Sequence, residues 1–208
     1  MTTPDDRPRS WFSSARERRL WLWSLGVVVA IFLGLWLTPA LAGIIEDRAL
    51  LDASFGLGLL LVGATVVALA MKTRPRGIEI GIALGIAAAY LLVVTRMALE
   101  PAERTHLIEY GVLAAFIYEA LTERASHGRH VPAPALTALL LTALVGVLDE
   151  VLQAFIPGRV FDPLDILFNV LAAGMAIAAS ALIRWAARWN RSQGLGRRGD
   201  DGDRGISD

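Results

Sequence analysis

Apolar residues occur along this chain in long blocks that are separated by short polar stretches. Six blocks are each about 20 residues long, the length that an α-helix needs to cross the hydrocarbon core of a bilayer. The blocks cover residues 20–42, 52–71, 77–99, 101–122, 132–156 and 163–185. The fourth block is less apolar than the others. The pattern predicts an all-α, polytopic membrane helix bundle of about six transmembrane helices.

The composition agrees with this prediction. Hydrophobic residues make up 55% of the 208 residues and the mean hydropathy is +0.52, which is high for a soluble domain of this length. The formal net charge is zero, so no overall field recruits nucleic acid. The absence of cysteine excludes disulfides and thiolate metal sites. We predict no cofactor and no metal, and the lipid bilayer is the expected partner.

The chain divides into three parts. Residues 1–19 form an Arg-rich polar leader, residues 20–187 the membrane domain, and residues 188–208 a Gly- and Arg-rich tail that is expected to be disordered. The first apolar block has a basic start and an Ala-x-Ala end at residues 40–42, as a cleaved signal peptide would. Its length, and tryptophans near both ends, favour a retained membrane helix instead.

The basic residues are distributed unequally between the two sides of the predicted bundle. If six helices alternate in direction, only four of the 20 Lys and Arg residues fall on the side opposite the termini. These four are Arg48, Arg96, Arg104 and Arg159. The positive-inside rule then predicts that both termini are cytoplasmic, and that the protein is a multi-pass protein of the cell membrane.

Ionisable and amide residues cluster near two of the predicted outer loops. His106, Glu109 and Tyr110 share one helix face by their spacing. Groups inside the hydrocarbon region need partners or water, so we expect them to face the bundle interior. The predicted polar pocket consists of His106, Glu109, Tyr110, Asp149, Glu150, Gln153, Arg159, Asp165 and Asn169. Asp162, before Pro163, is instead expected to cap the last helix.

These two clusters resemble the VanZ-like family of small bacterial membrane proteins. The resemblance is carried by "RTHLIEYGVLA" and, about 40 residues later, by "DEVLQAFIPGRVFDPLDILFN". It matches a His and a Tyr on one helix, then Asp-Glu-x-x-Gln, Pro-Gly-Arg and Asp-x-x-x-Asn, and it is strongest over residues 104–180. Where the family commonly has a glycine, this chain has Ala172. The resemblance implies a cell-envelope role and an effect on teicoplanin susceptibility, and thereby antibiotic resistance. It implies no particular reaction.

Three functional hypotheses follow. In the first, the protein is not an enzyme, and the outer pocket binds an amphipathic ligand such as an envelope lipid or a lipoglycopeptide. Arg159 would then contact a phosphate or carboxylate. In the second, His106, Glu109, Asp149 and Glu150 perform intramembrane chemistry on an outer-leaflet lipid-linked substrate. In the third, the protein regulates a membrane-protein partner through the small-residue face at residues 77–85.

Overall fold

All elements of secondary structure in the described part of the chain are α-helices. The computed structural model describes residues 11–42, 80–81, 85, 88, 101–156 and 161–203, without the side chains of 38–42, 101–106 and 190–203. The helices are α1 (Ala15–Ala42), α2 (Pro101–Ser126), α3 (Pro134–Gln153) and α4 (Pro163–Asp203). The all-α class is therefore confirmed. The predicted block at 52–71 and most of the block at 77–99 lie outside the described residues, so six helices and the cytoplasmic position of the termini stay predictions.

The start of α1 is fixed by side-chain capping. The Ser14 hydroxyl accepts a hydrogen bond from the Glu17 amide at 3.0 Å, and the Glu17 carboxylate accepts one from the Ser13 amide at 2.6 Å. The first bond satisfies an amide group that has no partner within the first turn, and the second ties the residue before the cap to the helix. The helix consequently begins five residues before the apolar block at 20–42.

The hairpin between α2 and α3 is closed by a glycine. Gly128 has a positive φ of 75°, a conformation that glycine adopts without a steric penalty. The amide of Gly128 donates to the Ala125 carbonyl and that of Arg129 to the Arg124 carbonyl. These two bonds form a Schellman motif, which ends α2 and reverses the chain towards α3.

The start of α4 agrees with the expected cap. The Asp162 carboxylate accepts a hydrogen bond from the Leu164 amide at 2.8 Å, and Pro163 occupies the first helical position. The other end differs from expectation, because α4 continues to Asp203 through the tail expected to be disordered from residue 188. Stacking of Trp185 on Trp189, one helical turn apart with ring centroids at 5.8 Å, stabilises the helix across that boundary.

α2 is the central helix and packs against the other three. Arg16 at the start of α1 pairs with Glu119 and Glu123 near the end of α2, so these helices are antiparallel. Asn169 near the start of α4 and Tyr110 of α2 both lie against Gly146, and Arg184, about four turns further along α4, pairs with Glu119, so α4 runs parallel to α2. α3 returns along α2 after the short hairpin. The relative directions of the described helices therefore alternate as a multi-pass bundle requires.

The bundle is unusually apolar on its outside. Three helical segments are long and apolar enough to cross a membrane, namely Ala15–Leu37, Pro134–Gln153 and Pro163–Trp189. Large side chains project outward from all three, including Leu33, Leu144 and Leu167, each more than half exposed. Exposure of so extensive an apolar surface is unfavourable in water but not in contact with lipid chains. The apolar helices therefore indicate a membrane lipid environment.

Candidate functional site

The inward face of α3 is polar, although the helix as a whole is apolar. Its exposed residues are mainly leucine and valine, such as Leu140, Leu144 and Leu148. Its buried residues are Ala138, Thr142, Gly146, Asp149, Glu150 and Gln153. This is the reverse of a helix in a soluble protein, which turns its apolar face to the core. From Thr142 to Gln153 the polar face extends about 16 Å along the helix axis.

The three helices α2, α3 and α4 approach closely at Gly146. A methyl group at Gly146 would lie 3.3 Å from both Cβ and Nδ2 of Asn169 on α4, and 3.4 Å from Cε1 of Tyr110 on α2. Both facing side chains are buried, with 0% exposure for Tyr110 and 1% for Asn169. The glycine thus allows a tyrosine and an asparagine to share the space beside α3.

The acidic pair on α3 lies next to this contact. The Gln153 amide nitrogen donates to Glu150 Oε1 at 3.2 Å and is 3.4 Å from Asp149 Oδ2, and the Asp162 backbone amide donates to Glu150 Oε2 at 3.2 Å. Asp149 interacts with both Tyr110 and Glu150. In the described part of the chain, no Arg, Lys or His lies within ion-pair distance of Glu150. Its carboxylate is held by neutral donors.

The structure brings five of the nine predicted pocket residues together as a buried group. We call Tyr110, Asp149, Glu150, Gln153 and Asn169 the polar cluster. Glu109 and Asp165 are half-buried beside it and interact electrostatically with Tyr110 and Glu150 respectively. The side chain of His106 and the whole of Arg159 lie outside the described residues. Their assignment to the pocket stays a prediction.

Thr142 on the inward face of α3 and Asn169 in the polar cluster have buried polar atoms without a hydrogen-bond partner in the described part of the chain. These are the Thr142 hydroxyl and both polar atoms of the Asn169 amide. Buried polar atoms are normally paired, so such groups mark places where water or a ligand can bind. The described residues contain no group of three or more His, Asp or Glu that could hold a metal ion.

Sequence reasoning missed Thr142 and Gly146. Thr142 precedes Gly146 by four residues, and Gly146 precedes Glu150 by four, so the three share one helix face. This i, i+4, i+8 spacing was available in the sequence. It shows that the polar face begins two turns before the Asp-Glu pair.

A second group of charges, also missed from the sequence, joins three helices at the opposite end of the bundle. Arg16 donates to Glu119 at 2.9 Å and to Glu123 at 2.7 Å, and Arg184 donates to Glu119 at 2.9 Å. Arg124 donates to Glu17 at 2.9 Å, and Glu17 has 0% exposure. We call these six residues the ionic cluster. Along α2, Tyr110 and Glu123 are about 20 Å apart, so the two clusters occupy opposite ends.

Apolar helix exteriors around a buried group of polar side chains are typical of helical membrane proteins. The VanZ/LLP1 family model matches residues 94–184, a segment that contains α2, α3, and α4 as far as Arg184. This match supports a VanZ-like protein and confirms the resemblance carried by the two motifs. None of the curated proteins and none of the solved structures gives a significant match.

Proposed function

We propose that this VanZ-like protein is a multi-pass protein of the bacterial cell membrane that binds the head group of an amphipathic ligand in its polar cluster. The cluster would open to the outer face, and ligand binding would alter teicoplanin susceptibility. The observation that supports the proposal is the inverted α3, which buries Asp149, Glu150 and Gln153 and exposes its leucines. Burial of two carboxylates is costly, and a role in binding would account for their presence.

The other described helices support the same proposal. Ile31 of α1 belongs to the apolar core that includes Leu107 and Tyr110 of α2. The packing of α1 into this core favours a retained membrane helix over a cleaved signal peptide. Ala172, where the family commonly has a glycine, is fully buried in the same core. A methyl group is therefore accommodated there.

The test is teicoplanin susceptibility of a sensitive Gram-positive host that expresses the protein. We expect the wild type to protect, and we expect Asp149→Asn, Glu150→Gln and Arg159→Ala to abolish protection at equal membrane abundance. Glu123→Gln in the ionic cluster is the matched control for Glu150→Gln, and it should protect as the wild type does. Equal protection by the Glu150 variant would refute the ligand site, and a wild type without effect would refute the teicoplanin role.

An intramembrane enzyme is the second candidate, favoured by the adjacent buried carboxylates of Asp149 and Glu150. Such a pair can divide acid and base roles between its members. Elemental analysis of the purified protein tests the metal-dependent form of this hypothesis. Stoichiometric metal that is lost in Glu150→Gln would favour the enzyme over simple binding.

A regulatory partner is the third candidate. Gly81 and Gly85 are exposed, and a methyl group at either position would meet no atom of the described residues within 4 Å. A helix face of small residues suits close packing with another membrane helix. Loss of protection in Gly81→Leu, with full protection by Glu150→Gln, would favour this hypothesis over a ligand site.

A further inference from the structure

Thr142 differs from the other threonines whose side chains the structure describes. Thr122 donates its hydroxyl to the Tyr118 carbonyl at 2.7 Å, and Thr137 donates to the Pro132 carbonyl at 2.6 Å. Helical threonines commonly satisfy their hydroxyls in this way. The Thr142 hydroxyl is fully buried and makes no such bond.

Asn169 is in the same situation on the facing helix. Its side-chain nitrogen and oxygen are both buried and have no partner in the described part of the chain. Asn169 faces Gly146, one helical turn beyond Thr142 on α3. A hydroxyl and an amide with unused hydrogen-bonding capacity therefore lie at adjacent turns of α3, on the side of the carboxylates that is nearer the middle of that helix.

The chemistry of these groups selects one class of ligand. The Thr142 hydroxyl and the Asn169 amide both donate and accept hydrogen bonds, and neither is charged. A neutral hydroxyl also donates and accepts, so it can satisfy both. A phosphate would leave the acceptors unused, and an ammonium group would leave the donors unused. The carboxylates of Asp149 and Glu150, further out on α3, can accept hydrogen bonds from additional hydroxyls.

We propose that Thr142 and Asn169 form an inner subsite that binds a hydroxyl of a neutral, hydroxyl-bearing lipid head group. This inference rests on the proposed function and specifies its ligand class. It extends the polar cluster by one residue, Thr142, and makes that threonine a binding residue.

The experiment measures thermal unfolding of the full chain in phosphatidylcholine nanodiscs. The variants are Thr142→Val and Asn169→Leu, with Thr122→Val as the matched control. An unpartnered buried polar group destabilises the empty protein, so the first two variants should unfold at or above the wild-type temperature. Thr122→Val loses a formed hydrogen bond and should unfold lower.

The probe is mono-oleoylglycerol, and methyl oleate is the control lipid because it has the same chain and no hydroxyl. Mono-oleoylglycerol should raise the unfolding temperature of the wild type by about 2–4 °C and leave Thr142→Val and Asn169→Leu unchanged. Methyl oleate should shift none of them. If Thr142→Val and Asn169→Leu unfold as low as Thr122→Val, and mono-oleoylglycerol has no effect, ordered water satisfies these groups and the subsite is refuted.

Failure of the subsite can be distinguished from failure of the proposed function. Loss of protection in Glu150→Gln, without any response to mono-oleoylglycerol, would retain the ligand site and refute only its neutral hydroxyl-bearing ligand. Full protection by Glu150→Gln would refute the ligand site itself.

Discussion

The ionic cluster and the polar cluster, which lie towards opposite ends of α2, differ in how their polar side chains are paired. At the ionic cluster, Glu119 and Glu123 pair with arginines of neighbouring helices, and Glu17 pairs with Arg124. At the polar cluster, Glu150 is held by an amide and a backbone N–H, and Asn169 has unused polar atoms. Ion pairs between neighbouring helices hold those helices in place. Polar atoms with unused hydrogen-bonding capacity can bind a ligand, so the proposed function places binding at the polar cluster and a structural role at the ionic cluster.

The surroundings of the two ends reinforce the contrast. Three exposed tryptophans lie close in sequence to arginines of the ionic cluster. Trp11 precedes Arg16 by five residues, and the stacked pair Trp185 and Trp189 follows Arg184. Tryptophans are enriched at membrane–water boundaries. The ionic cluster is therefore expected near one predicted boundary of the membrane, where water is available to Arg16, its exposed arginine.

Among the variants of the two clusters, Arg124→Ala is expected to lower the free energy of unfolding the most. The change leaves the buried Glu17 carboxylate without its ion-pair partner. Removing one partner of a buried pair typically costs about 3–5 kcal/mol, and we expect about 2–3 kcal/mol here because Arg124 is partly exposed. Chemical unfolding in detergent micelles measures the loss. The double variant with Glu17→Gln should recover most of it, and a double variant as unstable as the single one would contradict the assignment.

A smaller effect is expected at the helix contact of the polar cluster. Gly146→Ala places a methyl 3.3 Å from Asn169, so α3 and α4 must separate slightly. Overpacking costs about 1–3 kcal/mol, and the better helix propensity of alanine recovers part of that cost. Gly174→Ala on α4 is the matched control, because its methyl would meet no described atom within 4 Å. Gly146→Ala should lower the unfolding temperature and Gly174→Ala should raise it. The reverse order would contradict the close contact at Gly146.

The smallest expected effect is the contribution of the ionic cluster to the pH dependence of the unfolding temperature. Burial alone would raise the pKa of Glu123, but hydrogen bonds from Ser14 and Arg16 hold the pKa of Glu123 below its ordinary value of 4.5. A lowered pKa stabilises the folded protein above pH 4.5, and this contribution is lost as the pH falls through the folded-state pKa. Unfolding temperature should therefore decline in acid, and less steeply in Glu123→Gln. An identical decline in both proteins would exclude this carboxylate as a source of the acid response.

Sequence reasoning found the polar cluster because its residues interrupt apolar runs. Asp149, Glu150 and Asn169 are costly within a membrane span, so their positions alone marked them as buried partners or site residues. It missed Thr142, because a threonine in a helix ordinarily bonds to its own backbone. It missed the contact at Gly146, because a single glycine does not reveal which side chains approach it.

The ionic cluster was missed for a different reason. Its charges lie at the ends of apolar blocks, where solvated residues are the usual interpretation and only the tertiary fold shows the pairing. One local signal was present, since Ser14 and Glu17 have the spacing of a capping box. The extension of α4 beyond residue 188 was also not predicted, because the glycines of that segment disfavour a helix and the stacking of Trp185 on Trp189 is a contact that composition does not reveal.

The most direct test of the account asks whether the two ends lie on opposite sides of the membrane. The chain has no cysteine, so single cysteines can be placed at the exposed residues Phe161, beside the polar cluster, and Ser126, beside the ionic cluster. A membrane-impermeant maleimide applied to intact cells should label Phe161→Cys at once and Ser126→Cys only after permeabilisation. Labelling of Ser126→Cys alone, or of both in intact cells, would contradict a polar site that opens to the outer face.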